Sequence, residues 1–444
     1  MKKILLIGAG KSATVLIDYL SQLVHEKAWH LTVADGNADL LAQKVQTDNL
    51  IQSVQLDIQD TKARQTLVAT TDIVISMMPP AMHYLIALDC IEFKKHLLTA
   101  SYLDETIKKH SEEIRDNGLF FLYEMGLDPG IDHMSAMQII HHVQGEGGII
   151  SSFKSHCGGL IAPESDDNPW HYKISWNPRN IILAGKAGAT YKQNNNTLYV
   201  PYEQLFNDNN FIETPDGTVY SYYPNRDSLS YMPVYNLETV TDFVRTTLRH
   251  PQFTIGWKNI IDFKLTDEEK VYQTEGMSIA SFFKTHFRRH KIEDWKSGLT
   301  DTSTNTPKTN TGLQQFLFLG IEDETLINRG LCSAADVLQF IVENKLRLNA
   351  TDKDLIVMMH EVVYTLNNKK YLLTSLLEII GKDATHTAMA KTVGLPLGIA
   401  TKLILEKKLT EIGLQIPTKA TIYKQVLKEL ESYAITFKET LHTI

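Results

Sequence analysis

Cysteine is scarce, with three in 444 residues: Cys90, Cys157 and Cys332. They are too few and too scattered for a disulfide framework or a cysteine-rich zinc site. No carboxylate–histidine set has zinc spacing either, so no metal is expected. Positive charge is not in excess. The 44 Lys and Arg against 52 Asp and Glu leave a formal net charge of −8, which offers no field for phosphate backbones and excludes nucleic acid as the main partner. Long apolar runs are missing, none reaching the roughly 18 residues that span a bilayer, so no membrane partner is expected. The opening Met1-Lys2-Lys3 and Ile4-Leu5-Leu6-Ile7 look like the start of an export signal. The run stops at Gly8-Ala9-Gly10, however, and polar Lys11, Ser12 and Asp18 follow, so a strand feeding a turn is expected. These absences together point to a reduced, cytoplasmic compartment. With 43% apolar and 22% charged residues the composition is that of an ordinary globular chain. Its length exceeds what one core holds, which predicts two or more domains.

Up to residue 125, short apolar runs alternate with amphipathic stretches, the pattern of a parallel sheet flanked by helices. Strands are expected near 4–7, 31–34, 53–56, 73–77, 97–100 and 119–123. Helices are expected at 13–23, 39–46, 62–69, 83–91 and 105–115. This is the size of a Rossmann-like, doubly wound α/β domain. Residues 132–144 read as one helix, and aromatic-rich strands at 151–156 and 219–223 predict a second, mixed sheet. From 235 to 295 helical spacing dominates, with Phe243, Val244 and Leu248 on one face. The polar segment 299–311 reads as a mobile surface loop. Helices resume at 312–318 and 334–344. Near the end, 384–393 and 396–405 read as two helices parted by Gly394-Leu395, with Pro396 in a first turn.

Gly8-Ala9-Gly10-Lys11-Ser12-Ala13 fits the pattern Gly-x-Gly-x-x-Ala directly after the first strand and opening a helix. Gly8 permits the turn, Gly10 removes the side chain that would strike a pyrophosphate, and Ala13 lets helix and strand approach. The helix N-terminus then offers free N–H groups to phosphates. Asp35 closes the second strand, as the fingerprint requires. A carboxylate there accepts both ribose hydroxyls and repels a 2′-phosphate, which favours NAD over NADP; a plain helix cap is its other reading. Asp57 and Ile58 are placed to flank the adenine, and Ser76, with the turn through Pro80, to line the nicotinamide side.

Three clusters follow. Glu124-Met125-Gly126-Leu127-Asp128-Pro129-Gly130 sits at the carboxyl end of the sixth strand, where open α/β sheets bind ligands. Tyr222-Tyr223-Pro224-Asn225-Arg226-Asp227-Ser228 presents one arginine and Thr246-Thr247-Leu248-Arg249 a second. Two planar guanidinium forks suit a polycarboxylate. On spacing alone, turns and solvated surface arginines explain these segments better.

The chain resembles the saccharopine dehydrogenase family, L-glutamate-forming branch, nearly end to end. The resemblance is carried by Val74-Ile75-Ser76, Ala100-Ser101-Tyr102, Gly126-Leu127-Asp128-Pro129-Gly130-Ile131-Asp132-His133 and Cys157-Gly158-Gly159-Leu160. It continues through Tyr172-Lys173-Ile174-Ser175-Trp176, Tyr223-Pro224-Asn225-Arg226-Asp227-Ser228, Thr247-Leu248-Arg249 and Met389-Ala390-Lys391-Thr392-Val393-Gly394-Leu395-Pro396. It implies oxidation of saccharopine to glutamate and 2-aminoadipate semialdehyde with a nicotinamide cofactor, or the reverse condensation, in a homodimer. It also implies that Ser101, Tyr102, Asp128, Arg226, Thr247, Leu248 and Arg249 contact the substrate. Ser76, Leu127, Asp128 and Ser175 are implied along the cofactor. The implied domains are residues 1–130 completed by C-terminal helices 390–444, an α/β domain of 131–250 and 345–389, and a helical insert at 251–344. By the same resemblance the acid at Asp35 sides with NAD-using members, where NADP-using ones carry an arginine. The segment 252–320 matches poorly.

Two roles are open to Asp128: moving a proton at the reacting nitrogen or its water, or only orienting an ammonium while solvent carries the proton. Cys157 is read as a packing thiol, and Lys173 as an ion-pair member first and a proton relay second. Two rivals remain at this point. One is a related imine-reducing enzyme such as carboxynorspermidine dehydrogenase; the other is a non-catalytic NAD-binding sensor.

Overall fold

The computed structural model describes residues 1–207, 210–299 and 311–444. The mobile loop expected at 299–311 falls, apart from its two ends, outside the described residues. Six strands open the chain: β1 Lys3–Ile7, β2 His30–Asp35, β3 Ile51–Gln55, β4 Ile73–Ser76, β5 His96–Thr99 and β6 Phe120–Leu122. Runs such as Ile4-Leu5-Leu6-Ile7 and Ile73-Val74-Ile75 are buried throughout, because helices cover both faces of a parallel sheet. All neighbours pair in parallel, in the order β6-β5-β4-β1-β2-β3. The strand order reverses between β1 and β4, which is where such sheets open a ligand crevice. Gly8 sits at that point with φ +104°, and a Cβ there would lie 2.9 Å from the Met77 carbonyl. Only glycine fits.

Helix Ile131–Gly145 carries the chain to β7, Ile149–Ile161. β7 lies between Asp242–Arg249, which runs parallel to it, and Asp354–Leu366, which runs antiparallel. The resulting sheet is mixed and has nine strands among the described residues. Asp242–Arg249 corrects the helical reading of that stretch. Phe243 packs into the core shared with the first domain, whereas Leu248 packs on the opposite face beside Leu160 and Tyr220. A strand buried on both faces shows no polar alternation, so its apolar positions mimic helical spacing. Between this strand and Asp354–Leu366, helices Pro251–Asp262, Ile279–Arg289, Thr311–Leu319 and Ala334–Lys345 build their own core around Phe253, Trp257, Phe282 and Phe316.

The two helices expected near the C-terminus are one, Ala388–Leu405, with Pro396 inside it. Proline removes a backbone donor and ordinarily breaks a helix; here tight packing on helix α1, Thr14–Lys27, holds it straight through. A Cβ on Gly394 would come within 2.9 Å of the Leu16 backbone nitrogen, and one on Gly398 within 2.4 Å of the Tyr19 ring. This helix is long and apolar enough to cross a membrane, but 83% of it is buried inside the protein. It is a core helix. Beyond it, Gly413–Gln415 extends the first sheet past β6, and Lys438–Thr443 joins the second sheet beside Lys369–Ile380.

Gly394→Val should therefore overpack the contact between the two helices and cost about 1–3 kcal/mol, read as a lower thermal midpoint. Gly145→Ala, whose added Cβ meets nothing within 4 Å, should leave the midpoint unchanged or slightly raised.

Candidate active site

The turn after β1 is built for a dinucleotide. A Cβ on Gly10 would meet nothing within 4 Å, so space lies open above the loop. Neither Gly10 nor Ala13 caps the following turn with a side chain; the Ala13 N–H is taken by the Gly10 carbonyl at 3.1 Å, which leaves the first-turn N–H groups before it to face phosphate oxygens. Lys11 is exposed, Ser12 half-buried and Ala13 buried. The Asp35 carboxylate is turned onto the loop itself: Oδ2 accepts from Ala9 N–H at 2.7 Å and Oδ1 from Asn37 N–H at 2.8 Å. The Lys44 ammonium lies alongside, donating to the Gly10 carbonyl at 2.6 Å and the Thr14 hydroxyl at 2.8 Å. Asp57 caps the next turn by accepting from Gln59 N–H at 2.9 Å, and Ile58 is buried.

Ser76 ends β4 and Ser101 follows β5. Between them stands His83, which sequence reasoning did not single out. Its Nδ1 is 2.7 Å from the Ser76 hydroxyl and its Nε2 2.7 Å from that of Ser101.

The loop after β6 is the acidic centre. Gly130 has φ +146°, and a Cβ there would lie 2.0 Å from the Gly126 carbonyl oxygen; this fold-back places Asp128 and Asp132 side by side. Arg245, from strand Asp242–Arg249, binds both through Nη2, at 2.5 Å to Asp128 and 2.7 Å to Asp132. Asp132 is sealed, with 1% of its side chain exposed, while Asp128 keeps 14%. Asp128 is thus the carboxylate that reaches the cleft. Burial pushes its carboxyl up to about 6, against the pull of Arg245. Burial acts on Asp132 too, but His133 and Arg245 together outweigh it and hold that carboxyl low. The Tyr102 hydroxyl donates to Asp128 at 3.4 Å. Beneath them His133 bridges the Tyr235 hydroxyl at 2.5 Å and Glu124 at 2.8 Å, and Tyr231 donates to Glu124 at 3.0 Å.

The two arginines read from the sequence occupy different surroundings. Arg226 is exposed on its turn, in the left-handed region at φ +51°, and its guanidinium stands 5.2 Å over the Tyr102 ring. Arg249 is buried against Tyr172 and Phe253, at 5.4 Å and 5.3 Å from their rings. Its Nη1 donates to the Leu248 carbonyl at 2.8 Å, while its Nε is buried without a hydrogen-bond partner. Thr247 lies between Arg245 and Arg249 on the strand, so all three face one side, and Leu248 faces the other. Leu127 and Ser175 are buried. Lys173 is ion-paired to Asp167 at 2.8 Å and Asp352 at 2.7 Å. Burial drives the Cys157 thiol well above its usual range, which leaves no reactive thiolate there.

Arg245 was the residue most plainly missed. The i, i+2, i+4 spacing of Arg245, Thr247 and Arg249 was its signal, hidden by the helical reading of the segment. Arg245→Met should destabilise the fold by about 3–5 kcal/mol in denaturant unfolding, because two buried carboxylates lose their shared cation. A raised carboxyl also fixes a sign with pH. The folded chain holds the Asp128 proton that the unfolded chain has released, so this group's stabilisation is complete below about pH 4 and lost as pH rises through about 6. Asp128→Asn should therefore gain stability relative to the wild type over that rise.

Residues 4–122 match the family model described as saccharopine dehydrogenase NADP binding domain, and residues 126–435 the saccharopine dehydrogenase C-terminal domain. The L-glutamate-forming, NADP(+) saccharopine dehydrogenase of Pyricularia oryzae is 31% identical over 453 residues, covering 99% of this chain and 98% of that protein. Its Saccharomyces cerevisiae counterpart is 30% identical, with 99% of each chain covered. The alpha-aminoadipic semialdehyde synthase of Arabidopsis thaliana is 30% identical over 98% of this chain, which spans 44% of that longer protein. The solved apo structure of the yeast L-glutamate-forming enzyme superposes with a TM-score of 0.87 at 28% identity, covering 100% of both chains. These findings correct the expected preference for NAD over NADP, since the matching nucleotide domain is an NADP binding one. The physical reason lies in the loop: each Asp35 oxygen already accepts a backbone N–H and Lys44 sets a cation beside them, so the carboxylate is not an unopposed negative charge facing a 2′-phosphate. The chain belongs to the saccharopine dehydrogenase family.

Proposed function

We propose that this chain is an NADP-dependent, L-glutamate-forming saccharopine dehydrogenase of lysine metabolism, interconverting saccharopine and water with L-glutamate and 2-aminoadipate 6-semialdehyde. A homodimeric, cytoplasmic enzyme is part of the same reading. The observation that carries it is the meeting of Tyr102, Asp128 and Arg226, which come from three separate segments and were each read as substrate contacts. The names of the full-length relatives favour saccharopine over other amine–aldehyde adducts.

Gly8, Gly10 and the uncapped turn at Lys11, Ser12 and Ala13 would hold the pyrophosphate, with Ile58 near the adenine and Ser76 on the nicotinamide side. Bound there, the cofactor supplies a hydride acceptor. The chain's own residues do the rest. Arg226 holds one substrate carboxylate at the open side of the cleft. Arg249 takes another through its unpartnered Nε, with Thr247 beside it. Tyr102 stays protonated, because burial pushes its phenol up, and keeps Asp128 oriented. Asp128 accepts the proton released as water adds to the imine carbon. A carboxylate whose acid lies near 6 accepts that proton more readily than an ordinary one near 4.

Purified protein with saccharopine and NADP+ should raise nicotinamide absorbance, and kcat/KM should fall as pH drops through about 6 and Asp128 becomes protonated. Asp128→Asn should lower kcat by about a hundredfold or more; unchanged turnover with weakened binding would leave that residue an orienting role only. Arg226→Ala should raise the KM for saccharopine by about tenfold to a hundredfold, as the loss of a charged hydrogen bond does. The KM for NADP+ should stay nearly constant, and equal losses for both ligands would point to misfolding.

A further inference from the structure

Helix Pro80–Glu92 packs over the carboxyl ends of β4 and β5, with Pro79 at its cap and Pro80 in its first turn. These prolines fix the entry of the chain and hold His83 in place. His83 is 2% exposed, and burial lowers its imidazole to about 4. The ring is therefore neutral and carries a single N–H. Its two nitrogens are both used, 2.7 Å from the Ser76 hydroxyl and 2.7 Å from the Ser101 hydroxyl. A weaker contact joins Nε2 to the Thr99 hydroxyl at 3.4 Å, and that hydroxyl also accepts from Ser101 N–H.

One proton shared between two nitrogens makes the two serines opposites. With the proton on Nε2, His83 donates to Ser101, whose own O–H is then free to donate outward. Nδ1 is then an acceptor, so Ser76 spends its O–H on the ring and offers only lone pairs. With the proton on Nδ1 the roles reverse. A carboxylate beside Ser101 accepts hydrogen bonds and gives none, so it selects the first arrangement. Ser76 then suits a donor, such as the NH2 of a carboxamide.

We propose that His83 is a positioning residue that couples the two halves of the site: an anionic substrate at Ser101 selects the Nε2–H tautomer, which sets Ser76 to accept from the nicotinamide carboxamide. This rests on the saccharopine–NADP reading, with Ser76 on the cofactor side and Ser101 on the substrate side. No bond to carbon forms or breaks at His83, and the imidazole proton only changes nitrogen.

The test uses NADPH with saccharopine, two reduced partners that bind together without reacting. In the wild type, saturating saccharopine should tighten NADPH by about fivefold or more, within the usual range of coupling between sites. His83→Asn places an amide near the Nδ1 position and His83→Gln near Nε2, so each keeps one serine contact and loses the other. Both should bind NADPH alone within about threefold of wild type, while the tightening by saccharopine collapses to about twofold or less. Nitrogen-15 resonances of the His83 ring in the wild type, assigned by their loss in a folded His83 variant or by contacts to Ser76 and Ser101, should report Nε2–H in the ternary complex. Tightening that survives in either folded variant overturns the proposal, as does an Nδ1–H tautomer with both ligands bound. Should neither variant fold, the wild-type resonances decide alone. Saccharopine turnover with failed coupling sinks only this inference, whereas a protein that binds NADPH but leaves saccharopine untouched sinks the substrate reading and the inference together.

Discussion

A guanidinium buried between two carboxylates is the constraint from which the rest of the site follows. Arg245 belongs to the second sheet, while Asp128 and Asp132 belong to the loop and helix that leave the first. These contacts therefore tie the loop after the first sheet to a strand of the second, and neither side is tolerable without the other: an unpaired charge at that depth costs several kcal/mol. The cation is also boxed by aromatic faces, with the Tyr231 ring 4.6 Å away and the Tyr102 ring 5.9 Å away. Its position fixes which oxygen of Asp128 is occupied and so which one faces the cleft.

The surrounding elements serve that geometry. Gly130 permits the fold-back that sets the two acids side by side, and the His133–Glu124–Tyr235 chain braces the helix below them. On the opposite wall, the crossover between β1 and β4 opens a crevice whose glycine loop is tied down by Asp35 and Lys44. Ser76 and Ser101 stand on neighbouring parallel strands, so one imidazole spans both sides of the reacting space. The helix Ala388–Leu405 locks the chain's end onto α1, which keeps the nucleotide domain and the second sheet in one shared core.

The nucleotide fold was legible because its strands are short, apolar and separated by amphipathic helices, and because Gly8 and Gly10 stand directly after the first of them. The acidic loop was legible through Asp128 in its sequence context. Arg245 was not, since the helical spacing of Phe243, Val244 and Leu248 hid its i, i+2, i+4 relation to Thr247 and Arg249. The continuity of the helix through Pro396 depends on Leu16 and Tyr19, nearly four hundred residues earlier in the chain and far outside the windows of roughly 11–18 residues that local spacing reads. Asp35 was seen correctly as a carboxylate at the end of β2. Its contacts with Ala9 and Asn37 are set by how the loop closes, and they change what it says about the cofactor.

The most direct measurement is a crystal structure of the ternary complex with NADPH and saccharopine. The account predicts the bridging nitrogen of saccharopine within hydrogen-bond reach of the free Asp128 oxygen, about 2.6–3.2 Å or one water away, with Arg245 still clasping the other. Saccharopine seated away from Asp128, or Arg245 swung off the two acids onto a substrate carboxylate, would contradict it.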